Sequence, residues 1–162
     1  MKKVNQELYV KALKWIVRLL EKNKIKYAVL GGLAAYAYGS KRMLVDIDFS
    51  MSYKNMKKLA KITEKSVVEM PWNGVSSTGL WKGYYMELNY HGIRIEVGET
   101  TNTKFFNKKT NQWEKFPDAL KNAVTKKIFG LTLPVMPKKS LIAYKSKLKR
   151  KVDLLDLKSL CS

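Results

Sequence analysis

Tyr27-Ala28-Val29-Leu30-Gly31-Gly32-Leu33-Ala34-Ala35-Tyr36-Ala37-Tyr38-Gly39-Ser40-Lys41-Arg42-Met43-Leu44-Val45-Asp46-Ile47-Asp48-Phe49 is the stretch that decides the fold. Residues 27–30 form a short apolar run that reads as a buried strand ending in a glycine pair. A short helix over 33–38 follows, closed by Gly39-Ser40. A second strand over 43–51 carries Asp46 and Asp48, whose side chains project from one face because a strand alternates. Two carboxylates on one face can grip a single divalent cation. Gly31 and Gly32 leave backbone N–H groups open to a phosphate with no Cβ in the way. An isolated Asp-x-Asp is more often an exposed strand end or an Asx-turn. The glycine pair at this interval, with Glu96 on a later strand, turns the reading to a metal and phosphate site.

Working outward, residues 6–22 have apolar positions at helical spacing (Leu8, Ala12, Trp15, Ile16, Leu19, Leu20), as do residues 53–65 (Met56, Leu59, Ala60). Short β-prone runs follow at 67–70, 83–90 and 93–97, with a hairpin turn at 89–92. Alternation puts Arg94 and Glu96 on one face, predicted to be that of Asp46 and Asp48. Glu99 has the opposite parity beyond Gly98, and Glu87 is a further acidic option. Residues 100–111 read as a loop, 124–136 as a hairpin around Gly130, and 137–162 as a helical C-terminal segment. Its inner stripe would be Leu141, Tyr144, Leu148, Val152 and Leu155, with Lys147 and Lys151 pointing away. The fold class expected is α+β (α/β-like): a short mixed β-sheet flanked by helices, in a single domain over 1–162.

Against 13 Asp and Glu stand 32 Lys and Arg, a net charge of +19 that favours a polyanionic partner. The lone cysteine, Cys161, excludes an internal disulfide, and the lone histidine, His91, excludes a multi-His zinc site. His91 reads as a turn residue; Trp72, Trp81 and Trp113 read as core or rim rather than base-stacking groups. Residues 1–7 lack an apolar leader core, and no apolar run is long enough to span a bilayer, so a soluble cytoplasmic protein is expected.

The chain resembles the nucleotidyltransferase superfamily, the DNA polymerase β-like fold, in its Gly31-Gly32 turn, Asp46-x-Asp48 pair and later Glu96. Within it, the chain is most similar to small nucleotidyltransferases of the abortive-infection toxin type. Gly31-Gly32-Leu33-Ala34 with Gly39, Arg42 before the Asp pair, and the late series Lys145, Arg150, Asp153 and Asp156 carry that likeness. Leu44 stands where a Thr is common and Val152 where a Lys is common.

The expected chemistry is transfer of an NMP from an NTP, with ATP among the donors, to an acceptor with release of pyrophosphate. Asp46, Asp48 and Glu96 would be both catalytic and metal ligands, for two Mg²⁺ ions with Mn²⁺ as substitute. Gly31, Gly32, Arg42 and Lys145 would bind the nucleotide; Arg42 has the alternative of pairing with Asp46 or Asp48, and Lys145 that of an ordinary snorkelling lysine. Asp153 and Asp156 are read as structural helix-surface partners of Lys149 and Arg150. Charge favours an RNA acceptor, a tRNA end included, and the resemblance implies the same along with an antitoxin-like partner protein. The alternatives are an antibiotic or other small-molecule acceptor, a protein hydroxyl, or a catalytically silent module that binds nucleic acid or protein.

Overall fold

The computed structural model describes residues 5–162; the part of the leader reading that falls on residues 1–4 lies outside them. The chain opens with α1 (Gln6–Lys22), whose N-terminus is capped by Asn5: its Oδ1 accepts from the N–H groups of Glu7 at 2.9 Å and Leu8 at 3.4 Å. Its buried face is Tyr9, Ala12, Leu13, Ile16, Val17 and Leu20, so the inner stripe is centred on Leu13 and Ile16, with Trp15 at its edge.

β1 (Ala28–Val29) runs into α2 (Gly31–Ala37), then β2 (Asp46–Met51) and α3 (Tyr53–Ile62). α2 begins at the glycine pair itself, two residues earlier than the sequence predicts. β2 begins only at Asp46, because residues 41–45 form an irregular approach to it. After a 3₁₀ turn come β3 (Val67–Val75), β4 (Trp81–Tyr90) and β5 (Ile93–Glu99). The β4–β5 turn places His91 at φ +48° and Gly92 at φ +94°, the positive angles a tight hairpin demands.

The expected loop over 100–111 contains β6 (Lys104–Asn107), paired antiparallel with β7 (Gln112–Lys115). Four-residue strands are too short to show alternation, and their turn uses Asn111 at φ +55° where a glycine would have signalled it. The hairpin β8 (Val124–Ile128) and β9 (Leu131–Val135) is as read from sequence.

The C-terminal segment is two helices, α4 (Lys138–Leu148) and α5 (Lys151–Leu160), separated at Lys149, which adopts φ +52°. The break turns α5, so Val152 and Leu155 are 40% and 49% exposed instead of continuing the α4 stripe. The buried α5 positions are Asp153, Asp156 and Leu160.

One curled mixed sheet, ordered β7-β6-β4-β5-β2-β1-β9-β8 with β3 added beside β4, organises these elements. β2 and β5, at its middle, are parallel. Their inward residues Ile47, Phe49, Ile95 and Val97 join Ile16, Leu33, Met56 and Leu141 in one core, leaving the opposite face for polar side chains. Among the described residues no helix is long and apolar enough to cross a membrane.

Candidate active site

Parallel pairing sets Asp46 beside Arg94 and Asp48 beside Glu96, and antiparallel pairing sets Glu87 beside Glu96. Three adjacent strands thus present acids on one face. Oxygens of Asp46, Asp48 and Glu96 lie within 4.8 Å of one another. Like charges so close resist joint ionisation. Burial first, and then the neighbouring Asp46 and Glu96, hold the Asp48 carboxyl well above the usual carboxylate range, with Lys145 pulling the other way. Arg94 answers part of the repulsion: its Nη2 is 3.0 Å from Asp46 and its Nε 3.8 Å from Glu96.

Tyr85 completes this side. Its hydroxyl lies 2.8 Å from Glu96 and 3.0 Å from Glu87, and one proton serves one carboxylate at a time. Burial, Glu96 and Glu87 push the phenol upward, so it remains a donor. Sequence reading did not single out Tyr85, although alternation along β4 places it on the face of Glu87. Glu99 faces away: it is buried and accepts from the N–H groups of Thr101 and Asn102, closing a turn.

The glycine pair abuts the acids. Gly31 has φ +60°, and a Cβ there would stand 1.9 Å from Asp48 Oδ2; one on Gly32 would stand 2.3 Å from Arg42 Nη2. The turn is therefore closed against Asp48 on one side and Arg42 on the other. Gly31 and Gly32 occupy the first positions of α2, whose N–H groups have no partner within the helix.

Arg42 pairs with neither Asp46 nor Asp48. Its Nε contacts Asp156 Oδ1 at 2.8 Å, which also accepts from Ser40 Oγ at 2.8 Å. Lys145 is 1% exposed, its ammonium 3.1 Å from Asp153 and 2.9 Å from Asp156. The reading of Lys145 as a side chain reaching into an open cleft is corrected: its ammonium is enclosed by carboxylates. Arg150 donates to both oxygens of Asp153, at 2.7 and 3.0 Å.

Asp153 and Asp156 are 0% exposed, so the helix-surface reading is also corrected: they are the buried anions of a network joining the α2–β2 connection, through Ser40 and Arg42, to α4 and α5. Their i, i+3 spacing is the same for a surface pair and a buried one, and only tertiary packing separates the two. Burial raises the Asp153 carboxyl, but Arg150 and Lys145 outweigh it and hold the group below its usual range. Burial likewise opposes charge on Lys145, yet Tyr144, Asp153 and Asp156 keep it above its ordinary value.

The tryptophans serve packing: Trp81 sits among Phe105, Phe116 and Tyr144, Trp113 against Phe106, and Trp72 edge-on to Tyr85.

No protein-family model and no curated protein sequence matches the chain. Solved structures do. A Thermotoga maritima protein assigned to the nucleotidyltransferases without a named substrate superposes at TM-score 0.73, with 21% identity over 99% of this chain and 96% of that one. The lincosamide antibiotic adenylyltransferase LnuA, in its lincomycin-bound form, gives TM-score 0.63 and 18% identity over 99% of both chains. ANT(2'')-Ia in complex with adenylyl-2''-tobramycin gives 0.57 and 13% over 96% of this chain and 90% of that one. With its acids converging beside the Gly31-Gly32 turn, the chain has the nucleotidyltransferase fold.

Proposed function

We propose that this protein is a metal-dependent nucleotidyltransferase that moves an NMP from an NTP to an acceptor hydroxyl and releases pyrophosphate. The observation that carries this reading is the convergence of Asp46, Asp48 and Glu96 within 4.8 Å beside the Gly31-Gly32 turn. The donor set is all hard oxygen, as Mg²⁺ and Mn²⁺ require, and it is short of positive charge: burial and then its acidic neighbours raise Asp48, and Arg94 is drawn to the acids. The three carboxylates therefore fit divalent cations, two in the proposed arrangement, which when bound supply neutralisation of the triphosphate and of the leaving pyrophosphate.

The chain's own groups have separable tasks. Asp46 and Asp48 hold the cation position from rigid β2. Glu96, on β5, would orient the attacking hydroxyl and accept its proton, and Tyr85 would steady that carboxylate when its hydroxyl donates to Glu96 and not to Glu87. Gly31 and Gly32 present N–H groups to phosphate oxygens. Arg42 covers Gly32 with its positive end, while Lys145 stands behind Asp48 and tempers the acid cluster.

RNA, a tRNA end included, is the acceptor favoured by the +19 net charge. LnuA and ANT(2'')-Ia share the fold and act on antibiotics, but a cationic antibiotic would be repelled by this surface. The toxin-type assignment and an antitoxin-like partner rest on the resemblance carried by Gly31-Gly32-Leu33-Ala34 with Gly39, by Arg42, and by the late Lys145, Arg150, Asp153 and Asp156. Incubation with each labelled NTP, Mg²⁺ and total RNA should label RNA with one or more nucleotides, and Asp48→Asn should abolish the label. Polyanion binding with no NTP consumption in any combination would leave the silent-module reading in its place.

A further inference from the structure

Beside the acids lies a cleft of 430 Å³ whose aromatic lining the chemistry above does not use. Tyr9 of α1, Tyr36 of α2, Lys41 and Arg42 of the approach to β2, and Phe129 of the β8–β9 turn line it. We propose that this cleft is a nucleobase subsite, in which a planar base stacks on the Tyr36–Phe129 face while Lys41 and Arg42 hold the attached phosphate. The proposal rests on the nucleotidyl-transfer reading and adds to it where the base sits.

Phe129 carries the argument. It occupies the first turn position at φ +49°, followed by Gly130 at φ +79°, a hairpin geometry that Asn or Gly adopts easily and a bulky aromatic does not. Strain of this kind persists where something else fixes the residue. What the conformation achieves is the placement of the ring. Phe129 stacks on Tyr36 with centroids 5.0 Å apart and planes 21° from parallel, and meets Tyr9 edge-on at 6.4 Å. Tyr36 is 36% exposed, so this aromatic platform reaches solvent and is not a core contact alone.

The platform is joined to the acids by two links. The Tyr9 hydroxyl donates to the Asp46 carbonyl at 2.9 Å, tying the cleft wall to the strand of carboxylates. Arg42 lines the cleft and also arches over Gly32, so one guanidinium borders both the base position and the phosphate turn. The aromatic shelf, Lys41 and Arg42, the phosphate turn and the strand of carboxylates thus adjoin one another, and a base, its phosphates and a bound cation are the parts of a nucleotide that would meet them. A base could belong to the donor or to a nucleic-acid acceptor, and the chemistry of recognition is the same.

The test measures binding of ATP with Mg²⁺, inorganic tripolyphosphate with Mg²⁺, and a short single-stranded RNA to the unmodified protein, Tyr36→Ala and Phe129→Asn. Ala suits the α2 helix and Asn suits a positive φ, and melting curves check that both variants fold. Affinity for ATP should fall about tenfold or more with tripolyphosphate unchanged if the donor's base stacks here; the same loss for RNA alone assigns the cleft to the acceptor. If the unmodified protein binds ATP and neither folded variant alters ATP or RNA affinity, the subsite is overturned while the proposed function stands. If the unmodified protein binds neither ATP nor tripolyphosphate, the proposed function fails and the subsite with it.

Discussion

Asp48→Asn should make the metal-free protein more stable and the enzyme inactive. Asp48 lies within 4.8 Å of both Asp46 and Glu96. At an effective dielectric of about 20, two full charges at that distance repel by 332/(20 × 4.8), about 3.5 kcal/mol. Lys145 and Arg94 offset much of this, and Asp48 escapes part of it by holding its proton. Taking about half of one such pair as the net relief gives ~2 kcal/mol, or a Tm rise of about 4–8 °C for a chain of this length.

A divalent cation reverses the order. At 100 times its Kd it adds about 2.7 kcal/mol to the unmodified protein and far less to the variant. The sign with pH is fixed as well. Because the folded Asp48 pKa is raised, the contribution of Asp48 to stability is greatest at low pH and falls as pH climbs from the ordinary carboxylate range through the folded value, and Asn removes that part of the slope. Differential scanning fluorimetry of both proteins, in EDTA and in Mg²⁺ across pH 5–8, measures all three effects. A variant less stable than its parent in EDTA, or equal stabilisation of both by Mg²⁺, would refute the reasoning.

Gly31→Ala places a methyl 1.9 Å from Asp48 Oδ2 at φ +60° and should abolish transfer and lower Tm, whereas Gly32→Val must shift the Arg42 guanidinium that Asp156 holds and should chiefly raise the KM for NTP. Asp156→Ala strips Arg42, Lys145 and Ser40 of a buried partner and should cost about 3–5 kcal/mol in urea unfolding; a change under about 1 kcal/mol would show the network to be solvated. RNA affinity should fall on the order of 10³-fold between about 50 and 200 mM salt if about six phosphates are engaged, and Lys149→Gln with Lys151→Gln should flatten that slope without changing NTP binding. Lys147 is left out of that pair because it is committed to Glu114 at 2.7 Å.

The acid site was legible because its signals are local. Asp46 and Asp48 alternate on one strand, Glu96 falls on the matching face of another, and Gly31-Gly32 marks the turn between β1 and α2. Parity assigned Glu96 to the face of Asp46 and Asp48, while the parallel β2–β5 register that sets Glu96 beside Asp48 comes from the tertiary structure. The cationic half was not legible, because its partners are 114 and 116 residues apart in the cases of Arg42 and Ser40 with Asp156. The α4–α5 break was hidden by Lys149, a non-glycine residue at positive φ, so the helical stripe was carried through to Val152 and Leu155. The cleft aromatics were missed for a similar reason. Tyr9, Tyr36 and Phe129 sit on three separate elements, while the tryptophans drew attention by type.

The two halves acquire their meaning from their charges taken together. Asp46, Asp48 and Glu96 against Arg94 leave a balance of −2 when all are ionised, counted as three negative and one positive. Arg42, Lys145 and Arg150 against Asp153 and Asp156 leave +1, counted as three positive and two negative. Gly31 and Gly32 lie at the seam, the first against Asp48 and the second against Arg42. A surplus of negative charge calls for cations, and a fixed positive block one residue away calls for anions. A metal-bound polyphosphate satisfies both demands at once, since its cation and its oxygens are separated on the same scale. The buried aspartates make this polarity durable. They hold Lys145 inside the core and draw Arg42 away from Asp46 and Asp48, with which a free guanidinium would otherwise combine and cancel the field. In the proposed reaction the late Asp153 and Asp156 would act through the cations they restrain.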